Sequence, residues 1–312
     1  MKKKVILFSL LLSVLVACSN VGSLEQQGEI MEMSDSMNHI VKVPVDPQQV
    51  GVFDNAQIDN MDALGLGERI VVTASTQLPT YLQEYSEVEV AGTLHEVDLE
   101  IAMSTQPDLA IVASRSSANY DLLAEFIPTV DFSLVEQNAY KSMEQNFVKL
   151  AKIFNKEKES DEILIELEKK RNELYEAAQE SELTALMVMY NGGTLSAFGS
   201  ASRFGHVYDD FGFTPVDDRI DASNHGMEIT YEYIMRENPD IIFVLDRSSA
   251  ISDGERIDNA VKHFEENPLI EVTNAYKNKQ IHYLTPDVWY LSNGGVQAYD
   301  QMITDVWNAL KD

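Results

Sequence analysis

The sequence predicts an α/β protein built as two Rossmann-like lobes joined by a long rigid helix. A gapless internal repeat reads helix, turn and buried strand in both of its copies. A charged middle stretch carries apolar residues at helical spacing. The hydrophobic share of 45% over 312 residues is enough for one large core or two moderate ones.

At the N-terminus, Lys2, Lys3 and Lys4 precede an apolar run from Val5 to Ala17 that only Ser9 and Ser13 interrupt. The run is shorter than the roughly 20 apolar residues that span a bilayer, and it ends in Leu15-Val16-Ala17 directly before Cys18, so residues 1–17 read as a signal peptide. This ending resembles the bacterial lipobox, which implies cleavage before Cys18 and a diacylglycerol on its sulfur. Cys18 is the sole cysteine, so the sequence excludes a disulfide, an iron–sulfur cluster, a zinc–thiolate site and a cysteine nucleophile. Residues 18–35, rich in Gly, Ser, Gln and Glu toward their start, read as a lipidated flexible tether. Cleavage takes three of the 23 basic residues and leaves 20 against 51 acidic ones, a formal charge of −31. Nucleic acid and anionic lipid are poor partners for such a surface, and the membrane is reached through the anchor only.

Residues 36–142 form the first lobe. A strand ending at Val52-Phe53-Asp54 leads into a helix closed by Leu64-Gly65-Leu66-Gly67, and the strand Ile70-Val71-Val72 follows. The first copy of the repeat runs from Leu99 to Arg115, the second from Tyr231 to Arg247, each with a Pro-Asp turn between its helix and a continuous apolar strand. A strand apolar on both faces belongs in a parallel sheet covered by helices. Residues 143–181 form the connector, with Phe147, Leu150, Ile153 and Phe154, then Ile163, Leu164, Leu167 and Leu174, as one long helix or two in series broken near Asn155. A strut of this kind implies a small hinge closure rather than a wide clamshell motion. In the second lobe, residues 182–312, a strand from Thr194 to Phe198 leads into a helix closed by Phe211-Gly212-Phe213, glycine suiting the left-handed turn that ends a helix.

Open α/β sheets bind ligands beyond the carboxyl ends of their strands. Arg115 and Arg247 stand just past the repeated strand in the same register, looking into an inter-lobe cleft from opposite sides; the alternative is a surface pairing with local acids such as Asp246. Ser200-Ala201-Ser202-Arg203-Phe204-Gly205, at the entry to a helix, favours an anion. Asn224-His225-Gly226 forms a loop before the repeated helix, and Thr285 to Gly295 gives a turn, the pair Trp289 and Tyr290, and a glycine stretch. His95 lies at the rim of the cleft. None of the histidines falls in a nucleophile elbow, a metal-hydrolase spacing or a phosphate loop, so the chain does not read as an enzyme.

Together the signal peptide, the repeat, Ser202-Arg203-Phe204-Gly205, His225-Gly226, Asp246-Arg247 and Trp289-Tyr290-Leu291 resemble the binding lipoproteins of ferric siderophore ABC importers, nearest the catecholate and petrobactin-type group of periplasmic binding proteins. The resemblance implies the class III form of that fold, no permanent cofactor, and a ferric siderophore as transported ligand. Arg115, Arg203 and Arg247 would form a basic floor for a catecholate complex, matching planar guanidinium donors to phenolate oxygens. His225 and Tyr290 would complete the coordination of iron held by a tetradentate siderophore, with Trp289 and His95 also at the ligand. Some relatives carry a second tyrosine where this chain has Val288, leaving Tyr290 to act alone. Glu100 and Glu232, at matching positions of the repeated helices, would meet arginines of a permease coupled to its ATPase; acidic placement at a helix N-terminus explains them equally. A monomer, extracytoplasmic and lipid-anchored, is expected. Haem, cobalamin and a bare transition metal are the alternative ligands.

Overall fold

The computed structural model describes residues 29–74, 77–135, 138–220, 223, 225–251 and 263–311. The signal peptide, Cys18 and Asn224 lie outside the described residues.

A hairpin, β1 (Ile30–Ser34) and β2 (Ile40–Pro44), leads into the first lobe. The lobe's sheet is wholly parallel, in the order β5-β4-β3-β6-β7, with β3 Val50–Val52, β4 Ile70–Thr73, β5 Glu89–Val90, β6 Leu109–Val112 and β7 Thr129–Asp131. Every residue of β6 is buried, as its uninterrupted apolar run requires.

The second lobe is related but not identical. Its sheet runs β11-β9-β8-β12-β13, with β8 Thr184–Asn191, β9 Thr194–Phe198, β11 Met227–Ile229, β12 Ile241–Asp246 and β13 Ile281–Tyr283; the short β10, Thr214–Pro215, pairs beside β8. β12 is parallel to β8 and β13, as the repeat requires. The sequence reading, however, began this lobe's strands at Thr194. That strand is instead the second arm of an antiparallel hairpin with β8, turned at Gly192-Gly193. Gly65 and Gly212 take the expected left-handed conformation, with φ of 68° and 85°.

The connector is two helices, Ala139–Ile153 and Glu157–Ser181, separated where Asn155 takes φ 54°. The second has 25 residues and is about 37 Å long at 1.5 Å per residue. Met143, Phe147, Leu150, Leu164, Leu167 and Leu174 enter a single apolar cluster that also takes in Val50 and Ile111 of the first sheet and Phe243 of the second.

A further joint ties the lobes together. The helix Asn55–Ala63 of the first lobe packs on the terminal helix Val296–Lys311. Buried Asp59 accepts the N–H groups of Gln297 and Ala298 at 3.0 and 2.9 Å, and the hydroxyl of Tyr81. Asn60 accepts the N–H of Val296 at 3.0 Å. Orphan donors at the start of one lobe's helix are thus met by side chains of the other. Gly295 permits this approach: a Cβ there would lie 2.4 Å from Cγ of Asp59.

Candidate functional site

The two copies of the repeat end in different local structures that deliver their arginines to one place. After β6, Ser114 takes φ 52° and opens a 3-10 turn, Ser114–Asn119, that carries Arg115. After β12, Asp246 caps the short helix Arg247–Ala250, accepting Ser248 N–H at 2.9 Å and Ser249 Oγ–H at 2.6 Å. Asp246 therefore serves the backbone, while Arg247 donates to Tyr290 Oη at 2.8 Å and to Asn191 Oδ1 at 3.3 Å. Arg203 sits in a tight loop in which Ser202 Oγ–H donates to the Gly199 carbonyl at 2.6 Å and Asp209 accepts the N–H of Ala201 at 2.6 Å. Its Nη2 donates to the Tyr290 carbonyl at 2.6 Å.

Tyr290 is the meeting point. It stands on the helix Pro286–Leu291, which proline starts and which turns Val288 and Trp289 inward. The guanidinium carbons of Arg115, Arg203 and Arg247 lie 5.4, 4.7 and 5.4 Å from the centre of its ring. One arginine comes from the first lobe and two from the second. Burial alone would raise the Tyr290 pKa, but the bond and charge of Arg247, with the charges of Arg115 and Arg203, outweigh it and hold the phenol below its ordinary value. All four side chains are partly exposed. Three cations that do not titrate thus gather around one phenol ring, with Arg247 alone bonded to its oxygen, and their charge favours an anion.

Asp54, which the sequence reading placed at a strand end without a role, is electrostatically coupled to Arg115. It caps the helix Asn55–Ala63 through the N–H groups of Ala56 and Gln57. Burial pushes its carboxyl up to about 7, against the pull of those two N–H groups and of Arg115.

Trp289 as a ligand contact is corrected: it is fully buried, and its indole N–H donates to Asp305 at 2.9 Å, because the helix turns this ring toward the core when it turns Tyr290 toward the arginines. His225 is exposed, in the turn before β11, and His95 is exposed in the loop closed by the Gly92–Val97 bridge. Glu100 and Glu232 are exposed at the second position of the helices Leu99–Ser104 and Tyr231–Glu237, capped by Asp98 and Thr230. Among the described residues no three His, Cys, Asp or Glu side chains converge as a metal site. A cavity of about 1170 Å³ lies elsewhere, between Tyr81, the second connector helix and the terminal helix; Glu159, Glu162, Glu166, Asp287 and Asp300 on its walls repel an anion.

This two-lobed geometry has close counterparts. The sequence signature of the family described as "Periplasmic binding protein" matches residues 50–288. The chain belongs to this family. It is 32% identical to the petrobactin-binding protein YclQ of Bacillus subtilis over the whole of both chains. It is 30% identical to the ferric-anguibactin-binding protein FatB of Vibrio anguillarum, over 83% of this chain and 81% of the other. The crystal structure of YclQ superposes with a TM-score of 0.86, covering 91% of this chain and 99% of that one. The catecholate-siderophore binding protein VctP of Vibrio cholerae superposes at 0.83 with 31% identity, covering 90% and 100%. As a periplasmic binding protein the chain is a binder that works outside the cytoplasm, and its lobes and connector are those of the class III fold.

Proposed function

We propose that this protein captures a ferric catecholate-type siderophore between its lobes and delivers it to an ABC permease, whose ATPase drives iron uptake. One observation carries the reading: three guanidinium groups, drawn from both lobes, converge on Tyr290. A ferric tris-catecholate is about three units negative, and each charge-assisted bond from a guanidinium to a phenolate oxygen contributes roughly 1.5–3 kcal/mol. The ligands of the similar proteins, petrobactin, ferric anguibactin and catecholate siderophores, support the same class. With a tetradentate siderophore, His225 and Tyr290 supply the last two iron donors; the arginines already hold the Tyr290 phenol below its ordinary pKa, and His225 closes in from its loop. The mature protein is a monomer held to the membrane by lipid on Cys18, and no other cofactor takes part.

The test is titration of the soluble chain from Ser19 with ferric complexes of a hexadentate tris-catecholate, a tetradentate bis-catecholate and a trihydroxamate, followed by fluorescence quenching and the visible charge-transfer band. Both catecholates bind tightly, Arg203→Ala and Arg247→Ala each weaken them by at least about tenfold, and Tyr290→Phe removes a band shift seen with the tetradentate complex. Absence of quenching by all three overturns the proposal.

A further inference from the structure

Behind the arginine cluster a buried histidine makes two hydrogen bonds that together determine its charge. His206 opens the helix His206–Asp209 and is 4% exposed. Its Nδ1 lies 2.5 Å from Asp210 Oδ2, and its Nε2 lies 3.2 Å from Asn293 Oδ1. The Asn293 amide is oriented by its other end, because Nδ2 donates to the Arg203 carbonyl at 2.9 Å. An amide oxygen therefore faces Nε2, so Nε2 carries a proton, and the carboxylate facing Nδ1 takes a second.

We propose that His206, doubly protonated and held by Asp210, is the positioning residue that fixes Arg203 for the anionic ligand through Asn293. The inference rests on the reading of the arginine floor given above. When the imidazole loses a proton, the one that remains stays on Nδ1, where the carboxylate bond is strongest. Two lone pairs then face each other between Nε2 and Asn293 Oδ1, Asn293 turns away, and the Arg203 carbonyl loses its donor. The charged form is favoured by the two carboxylates of its own segment and opposed by the cations and rings that face it. Asp209 and Asp210 lie on its own segment, Lys141 and Arg171 face it across a cavity of about 210 Å³, and the rings of Phe211, Trp289 and Tyr299 enclose it. Burial pushes the imidazole toward neutrality, but the bond and charge of Asp210 and the contact with Asn293 outweigh it and raise its pKa above the ordinary histidine value.

The test has a ligand-free arm and a binding arm. In the NMR spectrum of the soluble chain at neutral pH, the His206 ring shows two slowly exchanging N–H protons; a single one overturns the proposal, whether or not any variant folds. In the binding arm the probe is the ferric complex of a hexadentate tris-catecholate, titrated between about pH 6 and 9. Asp54→Asn serves as the background, so that Asp54 does not contribute to the profile. There, affinity falls as pH rises through the His206 transition. Adding His206→Gln or Asp210→Asn lowers affinity by about tenfold at neutral pH and flattens the profile. Unchanged affinity and profile in both, with Arg203→Ala still impaired, overturns the role of His206 and leaves the arginine floor standing. Failure of the unaltered chain to bind sinks both.

Discussion

Tyr290 and Asp54 show the same competition with opposite results. For the phenol, three guanidiniums prevail over burial; for the carboxyl, burial prevails over one guanidinium and two backbone donors. Asp54 ionises near pH 7, and its negative charge then offsets Arg115 beside an anion site. Asp54→Asn is expected to bind a ferric tris-catecholate about tenfold more tightly than the wild type at pH 8.5 and equally at pH 5.5, a like-charge effect of ordinary size near a protein surface. Calorimetry in two buffers of different ionisation enthalpy should also show the wild type taking up a larger fraction of a proton on binding at pH 8.5 than the variant does. The arginines were legible in the sequence because a repeat displays register and because Arg203 lies in a recognisable motif. Asp54 was not, since its coupling to Arg115 spans two strands distant in sequence. Trp289 was misread because the side of Pro286–Leu291 that faces the core is set by Asp305, sixteen residues away on another helix.

At the scale of elements, the apolar runs and the helix after Asp54 were legible, but the burial of that helix's polar side chains was not. β6 and β12 announce themselves by being apolar on both faces. Asn55–Ala63 contains Asn55, Gln57, Asp59 and Asn60, and all four side chains are buried: Asp59 and Asn60 meet residues 294–298, more than 230 residues later, Gln57 accepts from Asn60, and Asn55 donates to the Gln77 carbonyl. Burial raises the Asp59 pKa to about 6, against the bonds from Tyr81, Gln297 and Ala298. A carboxyl raised in the folded state contributes stability that is full below its unfolded pKa and is lost as pH climbs through the folded value. The stability of the wild type relative to Asp59→Asn should therefore fall by up to about 3 kcal/mol between pH 4 and pH 7, measured by urea unfolding of both proteins across that range.

For the whole molecule, lobe separation is governed by two links, the connector and the Asp59 joint. Gly295→Ala forces a Cβ against Asp59 and is expected to cost about 2–3 kcal/mol of stability, as overpacking of a filled interface does; thermal unfolding of the purified variant checks it. Scattering should show the wild type closing only slightly on its ligand, consistent with a single apolar cluster running through both lobes. The proposed permease contact belongs to this scale as well. Glu100 and Glu232 stand one on each lobe at equivalent helix positions, so their spacing is fixed by that rigidity. Reversing both to lysine should abolish uptake in cells while the purified double variant binds its siderophore with unchanged affinity; loss of binding in the purified protein counts against a docking role. The two-lobe plan was legible from the repeat and the connector, whereas the joint was not, because it is written in polar residues at opposite ends of the chain.

That joint also imposes an order of events on biogenesis. The donors that Asp59 and Asn60 accept belong to Val296, Gln297 and Ala298, at the start of the last helix. While the polypeptide is made from its N-terminus, Asp59 and Asn60 are present long before the donors they accept. The joint closes only when the C-terminus follows, so a chain released a helix too early would hold its lobes by the connector alone.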